Sequence, residues 1–358
     1  MDIALCGLPR AGKSTLWEIL TGTLTHHEVG RPETRRGVAR VPDDRLDRIA
    51  ARFKPKKTVH ATVNYVDLAP VERGLGKTDS PMLAALRTAD ALLLVLRVWD
   101  NAADPHPEGS IDPARDLSLV ETEFLLADID VAQKRIDRLQ GTLKKGAKEA
   151  DKHEQDLMKR VLTLLEKETP LRAAGLSVED LKTLRGYAFL TAKPLLVAAN
   201  LPEDRVAEMH AAPEAFGLAG FTGRSGCDFV ALSALIEEEI ATLSPEDAAA
   251  FRADMGIAEP ALDRLIQASY RLMGRISFFT MNEDECHAWT IRDGALAPEA
   301  AGAVHSDMEH GFIRAEVIHW DKLLDAGSFA AAREKGWLIV HGKDYRVRDG
   351  DILHIRHS

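Results

Sequence analysis

Four apolar residues, Ile3, Ala4, Leu5 and Cys6, run directly into Gly7-Leu8-Pro9-Arg10-Ala11-Gly12-Lys13-Ser14, and a helical pattern follows to Leu20. The spacing G-x-x-x-x-G-K-S between a strand and a helix specifies a phosphate loop, and a phosphate loop in that setting specifies an α/β sheet. Glycines let backbone N–H groups turn inward on an anion, the helix N-terminus adds roughly half a positive charge, and the Lys13 ammonium reaches the outer phosphates. Pro9, Arg10, Ala11, Gly12, Lys13, Ser14 and Thr15 are therefore the expected phosphate-side contacts. Ser14 is the expected magnesium ligand.

The remaining pattern extends that sheet. Residues 61–67 alternate as a strand that ends on Asp67, which suits a magnesium-site carboxylate; a capping or turn aspartate is the alternative. Residues 91–98 form an almost continuous apolar run, as expected of a central parallel strand beside the first one. Further strands are expected at 195–199, leading to Asn200-Leu201-Pro202-Glu203, and at 229–232, leading to Ser233-Ala234-Leu235. Residues 22–42, with Arg31, Arg35 and Arg36, show no periodicity and read as a loop near the phosphates. Strands separated by helices, with polar chemistry at the strands' C-terminal ends, predict a doubly wound, mostly parallel sheet that binds its ligand at that edge.

Residues 117–140 and 149–168 are charged, with apolar residues at three- and four-residue spacing, and predict an antiparallel helical hairpin inserted into the sheet. Its basic residues, among them Lys134, Arg135, Lys145, Lys152, Lys159 and Arg160, suit either a solvated face with i,i+4 pairs or a nucleic-acid contact. Beyond residue 275 the texture changes to short β-like runs broken by glycine turns, which predicts a separate small domain. The expected organisation is a nucleotide-binding domain at 1–116 and 191–275, the hairpin at 117–190, and a mostly β domain at 276–358.

With 45% hydrophobic and 28% charged residues in 358, the chain can bury a large core. No run of eighteen apolar residues occurs and the first strand begins almost at once, so a spanning helix and a signal peptide are not expected, and a cytoplasmic location is. The three cysteines, Cys6, Cys227 and Cys286, have no metal-ligand spacing, and neither do the histidines. A formal charge of -10 argues against nonspecific coating of nucleic acid.

Several segments in order resemble the YchF or Obg-like ATPases, a family of translation-factor-related P-loop NTPases. They are GLPRAGKSTL, VPDDRLDRIAARFKPKK, VNYVDLA, IDPARDL with ETEFLLADI, AKPLLVAAN, LSALIEEEI, AWTIRDGALAPEAAGAVHSDMEHGFIRAEVI and GKDYRVRDGDILHIR. The last two resemble the TGS-type β-grasp domain of that family. The resemblance implies a slow, magnesium-dependent ATPase that acts as a nucleotide-state switch on a larger partner, the ribosome, with no membrane or sequence-specific DNA partner. GTP is the alternative nucleotide, and a binding module with little turnover the alternative function. Guanine-specific relatives carry N-K-x-D where this chain has Asn200, Leu201 and Glu203, so the aspartate that reads guanine is displaced and ATP is favoured. Asn200, Leu201 and Glu203, with Ser233, Ala234 and Leu235, are then the expected base-side contacts. The resemblance also gives His106 the role of orienting the attacking water, with Lys13 as the other catalytic residue.

Three departures stand out. Arg10 replaces the family's asparagine inside the phosphate loop. The segment from Arg31 to Arg36 lacks the wording T-I-E-P-N, so the magnesium-side threonine is not assigned and Thr34 is no more than a candidate for it. Pro70 replaces the glycine of D-x-A-G and has no N–H to donate to the terminal phosphate, a loss of about 1.5 to 3 kcal/mol for a bond to a charged oxygen.

Overall fold

A computed structural model of the protein describes residues 1–23, 34–75, 80–144, 146 and 148–358. In chain order the strands are β1 (Asp2–Cys6), β2 (Thr34–Arg40), β3 (Lys57–Val59), β4 (Thr62–Leu68), β5 (Ala91–Arg97), β6 (Leu195–Asn200), β7 (Cys227–Leu232), β8 (Arg275–Met281), β9 (Glu285–Arg292), β10 (Phe312–His319), β11 (Ile339–His341) and β12 (Asp351–His357). The helices that matter below are α1 (Lys13–Thr21), α2 (Asp44–Phe53), α3 (Pro81–Thr88), α4 (Pro113–Leu143), α5 (Glu149–Glu166), α6 (Val178–Leu184) and α7 (Ala234–Thr242). The chain divides into two compact units, one of residues 1–38 and 64–268, the other of 39–63 and 269–358.

The first unit is a mixed α/β P-loop fold around a six-stranded sheet of order β2-β4-β1-β5-β6-β7. β1 runs parallel to β4 and β5, β5 to β6, and β6 to β7. All seven residues of β5 are buried, which is why its sequence reads as continuous rather than alternating. Register sets the site: Leu5 lies opposite Asp67, Arg97 opposite Asn200, and Asn200 opposite Leu232, so the polar strand ends share one edge.

The segment expected as a loop contains β2. Its burial alternates from Arg35 onward, with Arg35, Gly37 and Ala39 turned inward and Arg36, Val38 and Arg40 exposed. The period was hidden because the inward positions carry a cation and two small residues. A side chain at Gly37 would collide with Thr21 and Trp17, so glycine is what lets this strand close over the end of α1. Residues 24–33, with Arg31 among them, lie outside the described residues.

Helices α4 and α5 form the expected hairpin. Asp112 caps α4 by accepting from the Arg115 N–H, Pro113 occupies its first turn, and Ala132, Ile136, Leu157, Met158, Val161 and Leu165 make its seam. Most of its cations have acids nearby: Lys134 with Asp130, Arg135 with Glu154, Lys152 with Glu149, Lys159 with Asp156, and Arg160 with Asp180. Lys145 lies outside the described residues. Ser177 and Asp180 form a reciprocal capping box on α6.

The second unit carries an additional sheet of order β11-β10-β12-β8-β9-β3. β8 pairs antiparallel with β9 and β10 with β12, while β12 runs parallel to β8. Its core gathers Phe278, Ile291, Ala300, Phe312, Ala315 and Leu353. Residues 39–63, which the sequence places with the nucleotide-binding domain, fold into this unit. β3 pairs with β9 through Lys57 opposite Glu285 and Val59 opposite His287, and Leu46 and Ile49 of α2 are fully buried. A pairing across more than two hundred residues leaves no local signal.

Among the described residues no helix is long and apolar enough to cross a membrane, and no group of three or more His, Cys, Asp or Glu side chains is placed to hold a metal ion. Cys6 and Cys286 are buried, and burial pushes both thiols up to about 12; Cys227 is half-buried.

Candidate nucleotide site

The phosphate loop is fixed by its glycines. Gly7 has φ +142° and a Cβ there would lie 2.5 Å from the Val95 carbonyl oxygen; Gly12 has φ +88° and a Cβ there would collide with Asn200 Nδ2. Both positions exclude other residues on space as well as backbone angle. Arg10 also adopts a positive φ, +64°, which an L side chain pays for in strain. No side chain caps α1, so its first N–H groups stay free for a ligand.

Lys13 is buried, and its ammonium donates to the carbonyl oxygens of Gly7 at 3.2 Å and Leu8 at 2.9 Å. Burial lowers it to about 8, against the opposing pull of the Asp67 carboxylate. Ser14 Oγ donates to Asp67 Oδ2 at 3.1 Å, so the two expected metal ligands are adjacent. Asp67 Oδ1 is buried without a hydrogen-bond partner. A hydroxyl and a carboxylate with an open oxygen, beside a phosphate loop, is a donor set that fits magnesium.

Arg35, which the sequence assigned only to a loop, enters this centre. Its Nη2 and Nε donate to Asp67 Oδ2 at 2.5 and 3.2 Å, its Nη1 donates to Glu18 Oε1 at 2.9 Å, and its Cζ lies 4.3 Å from the Trp17 ring centroid. Burial pulls the guanidinium down, but the hydrogen bonds to Asp67 and Glu18 leave it raised. Thr34 precedes it and lines a cavity with Pro70. The Val71 N–H, one residue past Pro70, donates to the Gly7 carbonyl at 2.9 Å.

At the other end Asn200 is a brace. Its Nδ2 donates to the Ala11 carbonyl at 3.1 Å and its Oδ1 accepts from the Ala234 N–H at 3.0 Å, tying the phosphate loop to the turn after β7. Gly12 and Thr15 share a cavity of about 330 Å³ with Asn200, Leu201, Glu203, Ala234 and Leu235. Of the residues that the sequence assigns to the base side, Asn200, Leu201, Glu203, Ala234 and Leu235 line this one cavity. Leu201 is buried, Glu203 and Leu235 are exposed, and Ser233 is fully buried with an unpartnered hydroxyl. The same cavity is lined by Trp99, Asp100, Asn101 and Glu238, which the sequence analysis missed. The available signals were that Trp99 to Asn101 follow the C-terminal end of a central strand and that Glu238 stands one helical turn beyond Ala234.

The segment after β5 folds back on itself. Arg97 is buried, stacks 3.6 Å from the Trp99 ring centroid and donates to the carbonyls of Trp99 and Asp104, while Asp104 Oδ1 lies 2.6 Å from Arg10 Nη1. Arg10 is thus held by an acid rather than standing free. His106 is also engaged: Nδ1 accepts from the Glu108 N–H at 3.1 Å, which leaves the proton on Nε2, 2.9 Å from Asp116 Oδ2. Both side chains of that pair are only 2% exposed.

The comparisons agree with this architecture. Residues 275–358 match the family model YchF-GTPase_C, described as a protein of unknown function (DUF933). The chain is 38% identical over 358 residues to the ribosome-binding ATPase YchF of Haemophilus influenzae, covering 98% of each chain. It is 35% identical over 362 residues to the protein of that name from Bacillus subtilis, covering 99% of each. Among solved structures, the Schizosaccharomyces pombe YchF GTPase superimposes with a TM-score of 0.86 at 29% identity, covering 99% of this chain and 97% of that one. The chain belongs to the YchF family of P-loop NTPases.

Proposed function

We propose that this protein hydrolyses ATP slowly with magnesium, and that its nucleotide state governs binding to a larger partner, the ribosome. The observation that carries the nucleotide choice is the base-side turn: Leu201 is buried and Glu203 exposed in a cavity shared with Gly12 and Thr15. Guanine offers N1 and N2 donors to an aspartate at the fourth position of this turn, and adenine offers neither; Glu203 at that position carries one methylene more, which changes the reach of the acid and removes the reason to prefer guanine. The named relatives include both an ATPase and a GTPase, and the turn's chemistry favours the former. The ribosome is proposed on the names of the Haemophilus and Bacillus relatives, with the hairpin of 117–190 and a β-grasp, TGS-like domain at 276–358 as its contact elements.

Ser14 and Asp67 would hold magnesium, which when bound neutralises phosphate charge and orients the terminal group. Lys13, now on two loop carbonyls, would exchange them for phosphate oxygens. His106 would orient the attacking water through a neutral imidazole nitrogen. That role requires the ring to leave Asp116 and Glu108, so nucleotide binding would have to rearrange the segment from Trp99 to Asp112. The buried His106–Asp116 pair and Pro70 also favour a second reading, a nucleotide-binding module with little turnover.

Calorimetric titration with ATP and GTP, followed by single-turnover hydrolysis by wild type and Lys13→Ala, tests these readings together. We expect tighter ATP binding and hydrolysis about a hundredfold faster than in the variant. Tighter GTP binding would overturn the nucleotide assignment. Equal rates would leave the binding module as the answer. With turnover established, His106→Ala should slow it while changing ATP affinity less than about threefold.

A further inference from the structure

Asp67 Oδ2 is crowded and Oδ1 is empty. The first receives Ser14 Oγ and two nitrogens of Arg35, whereas the second is buried with no partner. The Arg35 guanidinium therefore sits on the same carboxylate oxygen that receives the Ser14 hydroxyl, beside the two side chains that would hold a metal. It is well held there. Its side chain is 12% exposed, the Asp67 and Glu18 side chains beneath it are 8% and 9% exposed, and Trp17 is itself fixed by donating from Nε1 to the Tyr65 carbonyl at 2.9 Å. Inward-facing position 35 of β2 thus supplies one positive charge to the centre from the chain itself.

A divalent ion placed against Asp67 would meet that charge at a few ångströms with little water between, and the repulsion weakens the ion's hold for as long as the guanidinium stays. We propose that Arg35 is the resident counter-cation of Asp67 and sets the metal requirement of this site. The free protein holds Asp67 neutralised without metal, nucleotide binds in the absence of magnesium, and magnesium gains Oδ2, the oxygen that receives Ser14, only by displacing Arg35. The inference rests on Ser14 and Asp67 being the metal ligands. It makes Arg35 a positioning residue, not a catalytic one.

The full-length protein is titrated with magnesium at fixed fluorescent ADP analogue, in parallel with metal-free binding in EDTA. Wild type should bind the analogue with less than about a threefold change on removal of magnesium, while Arg35→Gln should bind it about tenfold more weakly without metal and reach half-saturation at about tenfold less magnesium. Arg35→Lys, which keeps a charge but loses the bidentate fork, should fall between them and serves if the glutamine variant does not fold. A second readout needs no nucleotide: magnesium should change tryptophan fluorescence as Arg35 leaves Trp17, and Trp17→Phe should abolish the change. Half-saturation within twofold of wild type in the folded Arg35 variant overturns the proposal. Asp67→Asn separates the two levels: if it retains the wild-type magnesium response, the metal-ligand reading has failed, whereas loss of that response with an indifferent Arg35 variant defeats the counter-cation alone.

Discussion

At the phosphate end of the crevice Ser14, Asp67 and Arg35 hold one another and Lys13 holds two loop carbonyls, while at the base end Asn200 ties two backbone segments together. The contacts of Lys13, Ser14, Asp67 and Arg35 are ones that phosphate and metal, bound as proposed, would have to replace. Asn200 instead spans Ala11 and Ala234, contacts that a ligand need not break. The difference is one of preorganisation. A rigid base side costs little to occupy, and a self-paired phosphate side makes binding depend on what replaces the internal pairs.

The two ends meet at Gly12, so the largest effect is expected there. Gly12→Ala puts a methyl group into Asn200 Nδ2 at a backbone angle that alanine resists, and disturbs both ends at once. Nucleotide affinity should fall by about a hundredfold or more, read by calorimetry. A variant that binds within threefold of wild type would show that the ends move independently. Asn200→Ala comes next. It strands a buried N–H and a buried carbonyl at about 1 to 3 kcal/mol each, so Tm should drop by roughly 5 °C and affinity for every nucleotide by about tenfold. A loss confined to adenine nucleotides, with Tm unchanged, would make Asn200 a reader of the base and not a brace.

The same contrast explains what could be read from the sequence. The phosphate loop, the buried strands and the strand-end residues that line one cavity were legible because glycine spacing, apolar runs and strand ends are local signals. β2 was not, since Arg35, Gly37 and Ala39 occupy the inward positions that apolar residues usually mark. Arg35 was seen as one of several loop cations because its carboxylate partners are 17 and 32 residues away. The Arg10–Asp104 pair was hidden in the same way, and so was the return of residues 39–63 to the second sheet. Chemistry carried by sequence motifs was visible, and chemistry made by charges meeting across the fold was not.

The effect that needs no substitution follows from the cost of burying the phosphate-side charge. Lys13 is 5% exposed, and burial lowers its ammonium to about 8, with Asp67 pulling the other way. Below that pH the free protein carries the charge and needs no proton to bind phosphate. Above it, Lys13 is neutral in the free protein, phosphate restores the ammonium, and binding takes up a proton. Metal-free affinity should therefore be flat from pH 6.5 to about 8 and then weaken with rising pH, by at most about tenfold per unit. Unfolding would not mimic this: a lysine depressed in the folded state binds protons more weakly there than in the unfolded chain, so its contribution to stability grows as pH rises from about 8 toward the ordinary lysine value. Asn200 does not titrate, so Asn200→Ala should lower the whole curve without moving its bend. Lys13→Arg should remove the bend, and a wild-type curve still flat at pH 9.5 would show that burial at the phosphate end leaves Lys13 charged.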